Sequence, residues 1–221
     1  MCGRYQLGLG GKNKLLGYHF GVDEQQSLKL KDNYNVTPSQ TMPIIITQSQ
    51  NRIQMMLWGL IPKWSKDGKS LVINARSETL PIKPMFKKLL ETQRCIVPST
   101  GFYEWKKTSE GKRPYYIGIK NHELFGFAGL YDIWQNSQGE EIYSYAIITC
   151  NPNYIMSEIH NRMPVILKKD DEEKWLNPDT VEEERLLPYL KPYPDSLMTA
   201  YPISDRVNSP QNKDSFIDRP V

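Results

Sequence analysis

The second residue of the chain is a cysteine, in Met1-Cys2-Gly3-Arg4-Tyr5. Removal of the initiator methionine leaves an amine and a thiol on that one residue, a 1,2-aminothiol. The amine can condense with an aldehyde, and the thiol can then close onto the imine to give a thiazolidine ring that neither group makes alone. An α-amino group has a reference pKa of about 7.7–8.0 and a thiol about 8.5, so both are partly nucleophilic at neutral pH. While Met1 is attached, the nitrogen of Cys2 is an unreactive amide. Environment decides cysteine reactivity, and an incidental cysteine would fit the same position.

Other residues could serve such a trap. Of the three histidines, His19 and His122 read as structural or surface residues, whereas His160 precedes Asn161-Arg162-Met163-Pro164, where proline enforces an irregular exit. A histidine entering a loop suits proton transfer, although for the residue taken alone the capping of a helix end is the favoured explanation. Glu104 lies among aromatics in Gly101-Phe102-Tyr103-Glu104-Trp105, where burial would raise its pKa toward acid–base use and strand alternation would instead turn it to solvent. Asn74-Ala75-Arg76-Ser77-Glu78 ends an apolar run with an amide, a guanidinium and a hydroxyl. That set suits phosphate binding or holding a nucleophile, or else a helix capped by Ser77.

The elements that must position these residues read mostly as strands, over 44–48, 53–58, 71–74, 94–98, 101–107, 114–119, 124–130, 142–149, 165–167 and 199–202. Ser109-Glu110-Gly111 supplies turn chemistry for a hairpin through 106–112. Helices are expected over 13–20, 84–93 and 152–160, the last capped by Thr149 or Asn151, with an acidic, solvated pair over 170–176 and 181–190. No repeat or linker divides the 221 residues. The expected fold is α+β, a single domain over 1–221 with a curved, barrel-like, mainly antiparallel β-sheet and peripheral helices. The absence of a Gly-rich phosphate loop between strand and helix argues against Rossmann and P-loop enzymes.

Composition is that of an ordinary globular protein, 39% hydrophobic and 24% charged. No apolar run is long enough to cross a bilayer and no signal peptide opens the chain, so a cytoplasmic protein without a membrane partner is expected. Cys2, Cys95 and Cys150 have no metal-binding spacing, and neither metal nor cofactor is expected. The net charge of +3 conceals a split: residues 1–120 carry 19 Lys and Arg against 8 Asp and Glu, whereas 121–221 carry 9 against 17. Cations interleaved with aromatics in the basic part fit single-stranded nucleic acid, and a strand with one wet face yields the same pattern.

Taken together, Met1-Cys2-Gly3-Arg4-Tyr5, Asn35-Val36-Thr37-Pro38, Trp58-Gly59-Leu60-Ile61-Pro62, Ile73-Asn74-Ala75-Arg76-Ser77-Glu78, Gly101-Phe102-Tyr103-Glu104-Trp105 and His160-Asn161-Arg162-Met163-Pro164 resemble, in order and spacing, the SOS-response-associated peptidase (SRAP) family. The resemblance runs from Cys2 to about Asn208 and implies a monomeric sensor of abasic sites in single-stranded DNA, nucleoid-associated if bacterial. It implies Cys2 as nucleophile, Asn74 as its positioning amide, Glu104 as the acid–base carboxylate and His160 as the residue acting on the sugar. Arg4, Arg76 and Arg162 match the family's phosphate contacts. Pro38, Trp64 and Trp105 match its base-stacking or strand-shaping positions, and Ser77 belongs to the same DNA-facing set. The DNA-facing part is expected at about 1–120 and an acidic helical part at about 168–192. Asn161 stands where many members have aspartate, so this chain carries an amide in place of that carboxylate. The expected product is a covalent thiazolidine crosslink, with weak lyase activity and autoproteolytic removal of Met1 alongside. A cysteine peptidase with an N-terminal nucleophile and a non-covalent single-strand-binding module are the rival readings.

Overall fold

The computed structural model describes residues 2–221. Met1, whose removal the aminothiol chemistry requires, lies outside the described residues. The strands are β1 (Tyr5–Leu7), β2 (Asn33–Val36), β3 (Thr41–Thr47), β4 (Asn51–Trp58), β5 (Asn74–Arg76), β6 (Arg94–Ser99), β7 (Gly101–Thr108), β8 (Gly111–Ile119), β9 (Phe125–Gln135), β10 (Glu141–Cys150), β11 (Met163–Pro164) and β12 (Met198–Pro202). The helices are α1 (Lys14–Phe20), α2 (Glu24–Leu28), α3 (Pro84–Thr92), α4 (Tyr154–Ser157), α5 (Lys169–Leu176) and α6 (Glu183–Leu186).

Five strands close into a ring in which β3 lies between β4 and β6, β6 pairs with β9, β9 with β10, and β10 returns to β4. Only the β10–β4 contact in that ring is parallel. Closure removes the exposed sheet edges that an open sheet would leave. Trp58, Tyr145 and Phe127 are fully buried in its core. A second, antiparallel sheet with the order β12-β8-β7-β1-β2 packs alongside, and Phe102 of β7 meets Phe127 edge to face at 5.8 Å. The expected α+β, barrel-like and mainly antiparallel architecture is the one found.

The hairpin expected over 106–112 forms, with Thr108 opposite Gly111. Gly111 has φ +130°, a conformation that L side chains rarely adopt. Other expectations need correction. The strand expected over 71–74 begins at Asn74, and Val72 makes only an isolated bridge to Leu60. The helix expected over 152–160 is the single turn α4, capped by Asn153, whose side chain accepts from the Met156 N–H. In place of a strand over 165–167 stand the two-residue β11 and a bridge from Ile166 to Phe127. β1 and β2 escaped the sequence reading because each is too short to show periodicity.

The acidic helices are not a solvated pair. Trp175 of α5 is fully buried and donates from Nε1 to the Cys95 carbonyl at 2.9 Å. Glu172 is buried too, with Oε1 3.0 Å from His19 Nε2 and Oε2 3.0 Å from Lys169 Nζ. The helix expected over 181–190 breaks after Leu186 into a 3₁₀ turn, since Pro188 has no N–H to continue an α-helical ladder. Buried Arg94 donates to the carbonyls of Leu90 and Glu91 at the end of α3, and to those of Trp175 and Asn177 at the end of α5. One cation thus satisfies the terminal carbonyls of two helices.

Candidate active site

Tyr5 fixes the amino-terminal segment. Its ring meets Trp58 at 5.1 Å and Phe127 at 6.0 Å, and its hydroxyl lies 2.8 Å from that of Tyr145. Tyr5 pairs with Phe102 across β1 and β7, and the Tyr103 N–H donates to the Arg4 carbonyl at 3.0 Å. That register carries the residues before Arg4 toward Glu104. Cys2 is fully buried, with Sγ 3.8 Å from the Arg4 carbonyl. Burial pushes its thiol pKa far up, and the negative charge of Glu104 adds to the effect.

Glu104 is 3% exposed, so strand alternation does not deliver it to water. Period two puts it on the same face as Phe102, toward the barrel, while Tyr103 on the other face is covered by Ile203, Val207 and Ile217. With both faces of β7 covered here, the carboxyl is desolvated, and burial raises its pKa to about 7. Such a group is partly protonated at neutral pH and can both give and take a proton.

Glu104 and His160 line one cleft of about 770 Å³, together with Trp105, Lys106, Lys107 and Lys112. His160 follows α4, and its Nδ1 lies 3.1 Å from the Arg162 backbone N–H, which donates to it. Burial lowers the pKa of His160, and the charges of Lys107 and Lys112 act in the same sense. The neutral imidazole is therefore favoured near pH 7.

The remaining residues singled out in the sequence occupy several settings. Asn74 is half-buried on β5, its Nδ2 3.5 Å from the Ile147 carbonyl and its Oδ1 buried without a hydrogen bond among the described residues. It does not line the cleft. Arg76 is exposed and Ser77 buried at the end of that strand, and Trp64 is 70% exposed. Pro38 sits in the turn between β2 and β3, next to Ser39 at φ +71°. Trp105 is already engaged: Nε1 donates to Asn208 Oδ1 at 2.8 Å and the Arg4 guanidinium lies 5.6 Å from its ring centre. Arg4 in turn donates to Asn35 Oδ1 and to the Val207 carbonyl. Arg162 donates to both oxygens of Glu78 and to the Thr149 carbonyl.

Three lysines of the cleft and Glu78 were not singled out as site residues, although the hairpin carried a signal for the lysines. It sets Lys106 opposite Arg113 and Lys107 opposite Lys112. Like charges directly across a strand pair are destabilising unless an anion is held between them. Glu78 had no sequence signal beyond its place in the motif, because its partner Arg162 is 84 residues away.

A match to the SOS response associated peptidase (SRAP) family extends over residues 1–210. This chain is an SRAP protein. It is 43% identical over 217 residues to the abasic site processing protein YoqW of Bacillus subtilis, covering 96% of each chain. The abasic site processing protein HMCES of Xenopus tropicalis is 31% identical, over 83% of this chain and 64% of that protein. A crystal structure of a protein from Bacteroides thetaiotaomicron superposes with a TM-score of 0.88 at 33% identity, over the whole of both chains. The fold of that protein is thus shared over the whole chain, and the SRAP match covers all but the last residues of it.

Proposed function

We propose that this SRAP protein processes abasic sites in single-stranded DNA by trapping them on Cys2. The observation that carries the reading is the buried carboxyl of Glu104, raised to about 7, acting on the Cys2 thiol from a cleft it shares with His160. The names of the relatives supply the substrate. The like-charged pairs across β7 and β8 suit a phosphate backbone entering the cleft.

An abasic deoxyribose is mostly a closed hemiacetal. His160 assists its opening, which exposes the C1′ aldehyde. Once Met1 is gone, the Cys2 amine adds to C1′ and water leaves, giving an imine. A buried thiol resists ionisation, so the amine reacts first and the sulfur second. Glu104 takes the thiol proton as sulfur bonds to C1′, and that proton goes to the former imine nitrogen to complete the thiazolidine. Burial shields the ring from hydrolysis. An imine that fails to close can lose the 3′ phosphate by β-elimination, a weak lyase activity. Asn74, with its unbonded Oδ1, is available to position the Cys2 amine.

A denaturing gel with an abasic oligonucleotide tests the reading. Wild type should give a heat-stable band, whereas Cys2→Ala and Cys2→Ser, which keep the amine and lose the thiol, should give only an imine band trapped by borohydride. A full-strength adduct from Cys2→Ala without borohydride would overturn it. Cleavage of added protein in place of an adduct would favour a peptidase.

A further inference from the structure

A second cleft, of about 800 Å³, lies on the outer side of the β3–β4 hairpin and shares no lining residue with the Glu104–His160 cleft. Its border carries Lys29, Lys31, Arg52 and Lys213. Among the described residues none of these four makes an ion pair. The one carboxylate at the border, Asp32, is occupied, its two oxygens accepting from the Leu9 and Gly10 N–H groups at 2.7 and 3.1 Å. The floor is aliphatic, formed by Met42 and Pro43 of β3 with Ile53 and Met55 of β4. Met55 is 46% exposed although it lies within a strand.

We propose that this groove docks an acidic peptide segment of a partner protein, with aliphatic or aromatic side chains seated on the floor and carboxylates against the lysines. Charge complementarity selects the anion, since four cations without carboxylate partners surround one apolar trough. The floor selects peptide over nucleic acid. Single strands bind by stacking bases on aromatic rings, and among the described residues no aromatic side chain lines this groove. Methionines adapt to varied apolar side chains and recur on surfaces that accept peptides. The groove lies outside the crosslinking machinery, so docking would deliver the protein to a partner without occupying its reactive cleft.

The test is fluorescence anisotropy with the full chain and a short labelled peptide in which leucine and phenylalanine stand among Asp and Glu. Saturable binding is expected. It should weaken by about tenfold or more in Lys29→Glu/Lys31→Glu, on the scale of contacts between close opposite charges. Met55→Lys, at an exposed position, should weaken it as well while leaving the melting temperature unchanged. The same peptide with serine for leucine and phenylalanine should fail to bind. Abasic crosslinking should be unaffected by either variant, which separates this proposal from the reading of the Cys2 site. Absence of saturable binding would overturn the proposal. Equal binding of the serine peptide, or displacement of the acidic peptide by an intact single-stranded oligonucleotide, would overturn it too, since the groove would then be a simple anion site or part of the DNA path.

Discussion

Arg162 and Glu78 form a two-pronged ion pair, Nη1 to Oε1 at 2.7 Å and Nη2 to Oε2 at 2.9 Å. The backbone N–H of the same arginine donates to His160 Nδ1. The pair thus ties the segment carrying His160 to the end of β5, and Arg162 reinforces this by donating to the Thr149 carbonyl of β10 at 2.6 Å. A planar guanidinium meeting both carboxylate oxygens fixes orientation as well as distance.

Glu78→Gln should therefore slow adduct formation in the same sense as His160→Ala, with little loss of affinity for intact single strands. The stability cost should be modest, about 1 kcal/mol, because Glu78 is 43% exposed and solvent screens the pair. Hydrogen bonding to Arg162 depresses the Glu78 pKa. A depressed carboxylate contributes stability above its unfolded pKa and loses it as pH falls through the folded value, so the difference between wild type and Glu78→Gln should shrink once pH falls below the ordinary glutamate pKa of about 4.3 and vanish below the depressed folded value. Single-turnover gels and thermal melts across pH check both halves.

Glu104 has the opposite linkage. Its folded pKa, about 7, lies above the unfolded value, so the native state binds the extra proton and stability falls as pH rises between about 4.5 and 7. Glu104→Gln should melt higher than wild type above pH 7, by an amount on the order of 2–3 kcal/mol, and the gap should narrow near pH 5. Adduct formation should slow by about 10²–10⁴-fold, the usual worth of a placed proton-transfer group. A variant that gains no stability at high pH would mean the carboxyl is not desolvated.

The three arginines assigned to DNA should separate. Arg76 is exposed, and Arg76→Gln should lower the salt dependence of single-strand binding by about 0.7 in log–log slope while leaving the melting temperature unchanged. Arg162→Gln should lose stability as well as affinity, by about 1–3 kcal/mol, because it strands the Thr149 carbonyl and the Glu78 carboxylate. Arg4→Gln should behave like Arg162, given its bonds to Asn35 and Val207. Titrations across salt, with melts of each variant, measure the division.

Arg94→Met should destabilise without touching DNA binding. The guanidinium is buried against four carbonyls from two helix ends, and methionine takes this donor from all of them, leaving the Asn177 carbonyl only its bond from the Thr180 N–H. Charged hydrogen bonds are worth about 1.5–3 kcal/mol each, so a loss of several kcal/mol is expected. Denaturant unfolding alongside single-strand titration gives the answer.

The sequence alone determined what short-range chemistry can encode. An aminothiol needs one residue, a two-residue hairpin turn needs Gly111 at its end, and the chain of strands follows from β-branched and aromatic runs. The order and spacing of six motifs carried the family. Tertiary structure decided the rest, because the deciding partners are far apart in sequence. Alternation could not say which face of β7 is buried, and the covering of both by the barrel and by Ile203–Ile217 gives Glu104 its raised pKa. The acidic helix looked solvated until Trp175 and Glu172 were seen packed against β6 and His19. The like charges across the 106–112 hairpin are local in sequence, but only the fold brings those lysines into one cleft with Glu104 and His160. Burial and the meeting of distant side chains are properties of the assembled fold, and no window of sequence contains them.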